Sequence, residues 1–390
     1  MNCPLSSTQE ASVVYSVPQT PVTCTAVFDT SDEARAVPSG RVDLVVCTEC
    51  GLAYNRAFDT ELARIGAELD AAYETSQAAS GHFSKFARRL AADWVERYSL
   101  QGKTVIEVGS GGGAFLTDLV HAGVGKVVAI DPLTPEHRGN DRIEVLNDTF
   151  GPRHLGIDAH ALICRHTLEH VPNVSAFLQL VHDWATRQPG RVVLFELPSA
   201  ERVIQEAAFW DIYYEHPTYF TKGTLTRAFE EAGFRLLRLE LVYEDQYFLV
   251  ETVAGSGTST QWPAARDELH TWNDFGLRAQ QAVEKCRSML NRFAEDDGPV
   301  VLWQGAAKTV GLLAAAGSIG HVDCAVDLAP ERQGRFLPGS ALAVRAPNTL
   351  QSLQPSHIVL MNPVYFNEVR AQLDQMNVKG KLCTMIQLVQ

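Results

Sequence analysis

Residues 104–115 read TVIEVGSGGGAF, a short β-branched run followed at once by a glycine-rich turn. Glycine tolerates positive φ angles, so Gly109 and Gly111 allow a tight turn and let the backbone approach a ligand closely. The residues from Ala114 onward predict a helix whose free N–H groups and positive dipole end point at that ligand. A strand, a glycine turn and a helix in this order are typical of a nucleotide-binding site.

Strands and helices alternate on both sides of this turn. Lys126–Asp131 and Arg191–Leu197 read as apolar strands, and Val174–Ala185 reads as a helix. This alternation indicates an α/β fold with a mostly parallel, doubly wound sheet. The pattern predicts four segments, which are a small β-rich or loop-rich unit at 1–65, an α/β domain at 66–256, a helical linker at 257–298 and a second α/β domain at 299–390.

The composition excludes several classes of protein. Lysine and arginine total 33 against 46 aspartate and glutamate residues, a formal charge of -13, so binding to nucleic-acid phosphates is not expected. No apolar run is long enough for a membrane-spanning helix, and the N-terminal residues lack the basic start and apolar core of a secretion signal. We therefore expect a cytoplasmic protein that acts on a small-molecule substrate, without nucleic acid or membrane.

The residues around the glycine turn are compatible with two nucleotide ligands. Asp131 ends the next strand, 24 residues after Glu107, where a carboxylate can accept hydrogen bonds from both ribose hydroxyls. Gly109, Gly111 and Ala114 satisfy a loose G-x-G-x-x-G/A fingerprint for NAD. Glu107, however, would face the NAD pyrophosphate unfavourably and suits a cationic ligand, such as the amino and sulfonium groups of S-adenosylmethionine. We expect S-adenosylmethionine, and an NAD-dependent oxidoreductase is the alternative.

The same turn resembles the first motif of class I S-adenosylmethionine-dependent methyltransferases, E-x-G-x-G-x-G, which here comprises Glu107, Gly109, Gly111 and Gly113. The segment CRHTLEHVP at 164–172 resembles the stretch after the fourth strand in many of these methyltransferases. Four further segments resemble the three-part C-methyltransferases of natural-product and deoxysugar pathways, namely FELP at 195–198, FWDIYYEHPTYF at 209–220, DLAPERQGRFLPG at 327–339 and VLMNPVY at 359–365. The resemblance implies an N-terminal zinc-binding domain, a central Rossmann-like methyltransferase domain and a C-terminal Rossmann-like domain. It also implies that Asp148 lies near the adenine amino group.

The resemblance further implies the residues of the reaction centre. A carbon acid beside a ketone needs a base near neutral pH, and the imidazole of His216 titrates there. In the sugar C-methyltransferases that this sequence resembles, a Tyr-x-Glu-His cluster serves the site, and Tyr213, Glu215 and His216 match it in order and spacing. His170 matches a second site histidine, and Tyr73 matches a tyrosine on the family's entry segment more loosely, which makes it a further candidate catalytic residue.

Four of the eight cysteines fall within the first 50 residues. Cys47 and Cys50 form a C-x2-C pair with the spacing of a zinc knuckle, in which two thiolates hold one tetrahedral ion. Cys3 and Cys24 are the other cysteines nearby and complete a candidate set of four ligands for structural zinc. The family usually opens with another C-x2-C pair, whereas here Ser6 follows Cys3, so one ligand is missing or replaced. The alternative is a set of half-buried thiols without metal.

The start of the second α/β domain departs from the family pattern. The family usually reads W-G-x-G-x-K there, whereas Trp303–Lys308 reads WQGAAK and has lost glycines. We therefore expect scaffolding or a substrate contact from this domain rather than a second cofactor.

Several functions fit these residues. The expected activity is S-adenosylmethionine-dependent C-methylation of a small natural-product or deoxysugar intermediate, with His216 as general base. The same scaffold could instead catalyse a donor-independent elimination or cyclisation, with His216 and Glu215 as acid and base. An NAD-dependent oxidoreductase and a non-catalytic partner of a second protein subunit are the remaining alternatives.

Overall fold

The computed structural model describes residues 1–69, 80–135, 140–255, 262–295, 298–317 and 322–389. Its strands are β1 (Ala11–Pro21), β2 (Ser39–Cys47), β3 (Ala53–Asn55), β4 (Thr104–Val108), β5 (Lys126–Ile130), β6 (Ile143–Leu146), β7 (Ala161–Arg165), β8 (Val192–Pro198), β9 (Thr218–Tyr219), β10 (Phe234–Val242), β11 (Tyr247–Ala254), β12 (Val300–Trp303), β13 (Val322–Val326), β14 (Val344–Arg345), β15 (His357–Leu360) and β16 (Lys381–Thr384). Its helices are α1 (Ser31–Arg35), α2 (Thr60–Leu69), α3 (Gly81–Arg97), α4 (Ala114–His121), α5 (Val174–Ala185), α6 (Ala200–Glu206), α7 (Lys222–Glu231), α8 (Ala265–Glu295), α9 (Ala307–Ala316), α10 (Leu350–Leu353), α11 (Phe366–Gln375) and α12 (Met385–Val389).

The central sheet has seven strands in the order β10-β11-β8-β7-β4-β5-β6. Strands β8, β7, β4, β5 and β6 run parallel to one another, which confirms the mostly parallel α/β fold. Apolar side chains of α3 and α4 pack on one face of this sheet, and those of α5 and α7 pack on the other. Because both faces are covered, strand β8 is buried from Val192 to Leu197, as its continuous apolar sequence predicts.

An antiparallel hairpin of β10 and β11 forms one edge of the central sheet, and the sequence analysis does not predict it. Its turn places three consecutive residues, Tyr243, Glu244 and Asp245, at positive φ angles of 54°, 53° and 61°. Glycine or asparagine usually occupies such positions. The residue types in this turn therefore give no sequence signal for a hairpin.

The C-terminal sheet has five strands in the order β14-β13-β12-β15-β16, and every pairing is parallel. Helix α8 precedes this sheet and forms where the sequence predicts a helical linker. Its buried face includes Trp272, Phe275 and Leu290, which share one core with apolar residues of β1, β2 and β12. The long helix therefore packs against both the first and the last sheet.

The N-terminal sheet has the order β1-β2-β3-β9, so its fourth strand comes from a distant part of the chain. Strand β9 pairs antiparallel with β3, with Tyr219 opposite Ala53. This pairing draws the residues that follow β8 away from the central sheet and across the N-terminal sheet. Within the described residues, no helix is both long and apolar enough to cross a membrane.

Candidate active site

The glycine turn lies between β4 and α4, as the sequence predicts. Gly109, Gly111 and Gly113 all have positive φ angles, of 73°, 52° and 81°. At Gly109 a Cβ atom would lie 2.0 Å from Oγ1 of Thr167, the second residue after β7. Because of both the positive φ angle and this close approach, only glycine suits the position. The contact also brings the segment after β7 directly beside the turn.

Asp131 and Glu107 lie on either side of the turn. Asp131 follows β5, and its Oδ2 accepts a hydrogen bond of 3.0 Å from the Gly111 N–H. Glu107 is buried within β4, and its Oε2 has no hydrogen-bond partner among the described residues. Burial raises the pKa of Glu107 to about 8. A cation beside this carboxyl group would offset that cost of burial and favour its ionised form.

Asp148 follows β6, which is the parallel neighbour of β5. The carboxyl ends of parallel strands meet at one edge of the sheet, so Asp148 and Asp131 lie on the same edge. The Asp148 carboxylate contacts Arg153 and is 3.1 Å from Nε2 of His154. Its contact with adenine stays a prediction. Tyr73 lies outside the described residues, and its role also stays a prediction.

A buried charged cluster lies at the carboxyl ends of β7 and β8. Nε of Arg165 donates to Oε2 of Glu196 at 2.6 Å, and Nε2 of His166 is 3.2 Å from the other Glu196 oxygen. Nδ1 of His166 is also 3.7 Å from the Glu169 carboxylate. Burial opposes charge on His166, but Glu196 and Glu169 outweigh it and raise the pKa of His166 to about 9. Burial likewise opposes charge on Glu196, but Arg165 and His166 lower its pKa to about 2.

The sequence analysis does not select His166 or Glu196 as site residues. One signal was available, because each lies at the carboxyl end of a strand that is otherwise apolar. A charged side chain at that edge of a parallel sheet faces the ligand crevice. His166 also has a φ angle of 47°, which is uncommon for a residue other than glycine.

His170 and His216 meet beside this cluster. Their rings lie edge to face with centroids 4.7 Å apart, and the ring of Tyr213 stands edge to face with His216 at 5.0 Å. The Nδ1–H of His170 donates to the backbone carbonyl of Glu215 at 2.9 Å. Burial lowers the pKa of His216 well below its usual value, and the charges of His170 and other cationic neighbours lower it further. The lowered pKa favours the neutral ring, which has a nitrogen able to accept a proton, and it departs from the titration near neutral pH that the sequence analysis expects.

The carboxylate of Glu169 lies near both histidines. One donor atom from each of Glu169, His170 and His216 lies within 4.8 Å of the other two. Atoms this close together could all contact one bound group, either a metal ion or a polar group of the substrate. The Glu215 side chain has a different neighbour, because its carboxylate contacts the Sγ of Cys24.

Two protein families together match most of the chain. The family described as "Methyltransferase domain" matches residues 83–239, and the family described as "C-methyltransferase C-terminal domain" matches residues 262–386. The chain is also 25% identical over 383 residues to the C-methyltransferase NovU of Streptomyces niveus, a match that covers 91% of this chain and 88% of NovU. The chain belongs to the class I S-adenosylmethionine-dependent C-methyltransferases.

Two solved methyltransferase structures each match less than half of this chain. The 1,6-didemethyltoxoflavin-N1-methyltransferase of Burkholderia thailandensis is 15% identical with a TM-score of 0.35, and the match covers 44% of this chain and 79% of that one. The magnesium protoporphyrin IX methyltransferase of Synechocystis PCC 6803 is 16% identical with a TM-score of 0.35, and the match covers 44% of this chain and 83% of that one. Family membership identifies an S-adenosylmethionine-dependent enzyme and sets aside the NAD-dependent oxidoreductase.

The residues of this methyltransferase fit a sulfonium nucleotide. The glycine turn opens helix α4, Asp131 lies against the turn, and the buried Glu107 carboxyl group has an oxygen without a partner among the described residues. The carboxylate of Asp131 can accept hydrogen bonds from the hydroxyls of a ribose. A cationic group of the ligand can offset the free-energy cost of burying the Glu107 carboxylate.

Three of the four predicted zinc ligands lie together. The Sγ atoms of Cys3, Cys47 and Cys50 all lie within 4.8 Å of one another, and all three residues are buried. Cys24 does not belong to this group, which corrects the predicted set of four, because its thiol lies at Glu215 instead. The hydroxyl of Ser6 stands at the cluster, 3.3 Å from Sγ of Cys47. The donor set is therefore three sulfur atoms and one hydroxyl, which a tetrahedral zinc ion can use.

In the second Rossmann-like unit, a side chain occupies the turn after the first strand. Nε and Nη2 of Arg332 donate to the carbonyl of Gly305 at 2.9 and 2.7 Å, which fills the turn after β12. Asp327 ends β13 in the position equivalent to Asp131, but its carboxylate is 3.6 Å from Arg332. The cavity at this edge has a volume of about 40 Å³. A space of that size is far too small for a nucleotide.

Proposed function

We propose that this methyltransferase adds a methyl group to a carbon atom beside a carbonyl group of a small natural-product or deoxysugar intermediate, with His216 as general base. The observation that carries the proposal is the imidazole of His216, which lies edge to face with both His170 and Tyr213 and whose lowered pKa favours its neutral form. Relatives by family and by overall sequence are C-methyltransferases, which supports carbon as the acceptor atom. NovU covers nearly the whole chain, so the proposal applies to all three sheets.

The chain's own residues have distinct parts in this reaction. Bound S-adenosylmethionine supplies a methyl group that is already activated as a sulfonium. A ring nitrogen of His216 takes the proton from the acceptor carbon, and the electron pair of the broken C–H bond forms the new bond to the methyl carbon. The bond from that methyl carbon to sulfur breaks, neutral S-adenosylhomocysteine leaves, and the proton stays on His216 until solvent removes it.

His170 and the glycine turn align the two substrates. His170 keeps its hydrogen on Nδ1 because that nitrogen donates to Glu215, so Nε2 is free to accept a hydrogen bond from a hydroxyl of the acceptor. The contact between Thr167 and Gly109 joins the donor turn to the segment that carries His170. Holding donor and acceptor in line makes the reaction effectively unimolecular, which is worth several kcal/mol.

The test separates binding from chemistry. Wild-type protein is incubated with tritiated methyl donor and a panel of nucleotide-linked keto sugars, and each product is weighed by mass spectrometry for an added methyl group. In the His216→Gln variant we expect methyl transfer to fall by about 10²–10⁴-fold while S-adenosylhomocysteine binding is unchanged. His121→Gln, an exposed histidine at the end of α4, is the matched control. Full activity of His216→Gln, or turnover without an added methyl group, would overturn the proposal.

We also propose a structural zinc ion held by Cys3, Cys47 and Cys50, with Ser6 or water as the fourth ligand. A zinc ion would bind the three sulfur atoms as thiolates, and structural zinc sites stabilise small domains. Metal analysis of the purified protein should give one zinc per chain, and a chelator should lower the melting temperature. Ser6→Cys should slow zinc loss, and Cys24→Ser should leave the zinc content unchanged. Zinc-free protein of undiminished stability would contradict this role.

A further inference from the structure

Residues 209–219, called here the histidine segment, are held by both flanking sheets. On the N-terminal side, the N–H of Asp59 donates to the hydroxyl of Tyr214 at 2.9 Å. On the C-terminal side, Gly311 of α9 approaches the segment so closely that a Cβ atom would lie 2.4 Å from the carbonyl oxygen of Trp210. The position of the histidine segment therefore depends on contacts outside the central sheet.

Lys308, at the start of α9, makes the ionic contact of this set. Its Nζ is 2.5 Å from each oxygen of Asp211, and both side chains are largely buried. The hydroxyl of Tyr213 donates to the same carboxylate at 2.5 Å. The Tyr213 ring in turn stands edge to face with His216. A continuous set of contacts thus runs from the C-terminal domain to the imidazole.

We propose that Lys308 is a positioning residue of the methyl-transfer centre, and that through Asp211 it holds Tyr213 against His216. The proposal rests on the proposed role of His216 as base. The WQGAAK segment has lost glycines but contains this lysine. The second Rossmann-like unit therefore completes the reaction centre of the first one instead of binding a nucleotide of its own.

The hydroxyl of Tyr213 already donates its hydrogen bond to Asp211. Because that bond goes to Asp211, Tyr213 acts on His216 through its ring and not as a hydrogen-bond donor to it. The ring of Tyr213 shields one side of the His216 imidazole from water and fixes the orientation of the imidazole ring. If the carboxylate of Asp211 lost its cation, it would be a largely buried charge held by one hydroxyl, and Tyr213 would have reason to move.

Charges around His216 support the same assignment. The titratable groups near its ring come from several elements and are Glu169, His170, His166, Tyr213, Tyr219 and Lys308. Burial lowers the pKa of His216, and the positive charges of His166 and Lys308 lower it further, as would a proton added to His170. Asp211 carries the opposite charge beside Lys308. Removing either member of the ion pair should therefore shift the His216 pKa, and in opposite directions.

The test measures the His216 pKa by NMR in protein with ¹³C-labelled histidine, with His216→Gln to assign the signal. Lys308→Met leaves Asp211 negative, so the His216 pKa should rise by about half a unit or more. Asp211→Asn leaves Lys308 positive and should not raise it. The double variant should return toward the wild-type value. Lys308→Arg should keep the pKa, and Lys379→Met, an exposed lysine of the same domain, is the matched control.

The activity readout is the pH profile of methyl transfer from tritiated donor. Lys308→Met should lower kcat/KM by about tenfold or more and move its acid limb upward, while S-adenosylhomocysteine binds as in wild type. An unchanged His216 pKa in Lys308→Met, with an unchanged pH profile, would overturn the proposal. That outcome leaves the base role of His216 intact, because His216→Gln tests that role separately. Should Lys308→Met fail to fold, Asp211→Asn and the double variant give the same comparison.

Discussion

The two Rossmann-like units share one architecture but differ at the turn after their first strand. In the first unit the turn after β4 has three glycines at positive φ, and Asp131 accepts a hydrogen bond from it. In the second unit the turn after β12 is filled by Arg332, which donates to the carbonyl of Gly305 and lies near Asp327. An arginine side chain therefore occupies the position at which the glycine turn of the first unit would face a nucleotide.

The difference shows that a strand–turn–helix unit can keep its shape after its ligand site has closed. The first unit needs glycine because its turn approaches both a ligand and Thr167. The second unit needs only to pack, and its helix α9 instead presents Lys308 to the histidine segment. Function in such a chain is decided by a few side chains at the turn and not by the fold around them.

The largest expected effect comes from adding one methyl group to each turn. In Gly109→Ala the new Cβ would lie 2.0 Å from Thr167 at a positive φ, so affinity for S-adenosylhomocysteine should fall by about 100-fold or more. In Gly305→Ala the new Cβ would meet side-chain atoms of Val344, the nearest at 2.9 Å, and Cβ of Ala325 at 3.5 Å, and affinity should stay within about twofold. Calorimetric titration measures both. Equal losses in the two variants would break the comparison.

A smaller effect is expected from the two equivalent carboxylates. Asp131→Asn keeps the shape of the side chain but removes the charge that a ribose would use, so affinity for S-adenosylhomocysteine should fall by about tenfold. Asp327→Asn changes a carboxylate that faces Arg332 and should leave that affinity unchanged. The same calorimetric titration applies. Weaker binding by Asp327→Asn would show that the second unit also takes part.

The two units also differ in buried charge at the next strand end. In the first unit His166 has a pKa of about 9, whereas β15 of the second unit is followed by the uncharged Met361 and Asn362. Because the folded pKa of His166 is raised, its stabilisation is complete below pH 6.5 and is lost as the pH rises toward 9. Wild type should lose on the order of 2 kcal/mol more unfolding free energy than His166→Gln over that interval. Urea unfolding at a series of pH values measures it.

One outcome of the urea-unfolding experiment would contradict the role given to His166. Glu107 is present in both proteins, so the difference between their pH profiles reports His166. Parallel stability profiles from pH 6.5 to 9 would mean that the cluster with Glu196 does not hold the imidazolium in the folded protein.

Much of the fold could be predicted because local signals agreed with it. The strand at 104–108 has the predicted bounds because its β-branched residues are followed directly by glycine. The helix at 174–185 has the predicted bounds because its apolar residues recur at helical spacing. The β10–β11 hairpin could not be predicted, because Tyr243, Glu244 and Asp245 adopt positive φ without glycine. Tertiary packing overrides local preference at that turn.

The site was predictable only where residues are close in sequence. Tyr213 and His216 lie together in the chain and in space, so their motif locates them. Cys24 was assigned to the cysteine cluster because it is near in sequence, but its thiol lies at Glu215. Lys308 reaches Asp211 across 97 residues, and no local pattern indicates such a contact.

The most direct measurement of the central claim is the stoichiometry of S-adenosylhomocysteine binding by calorimetry. One ligand per chain, with binding lost in Gly109→Ala and kept in Gly305→Ala, is the result expected if only the first Rossmann-like unit is open. Two ligands per chain, or no binding at all, would contradict the account.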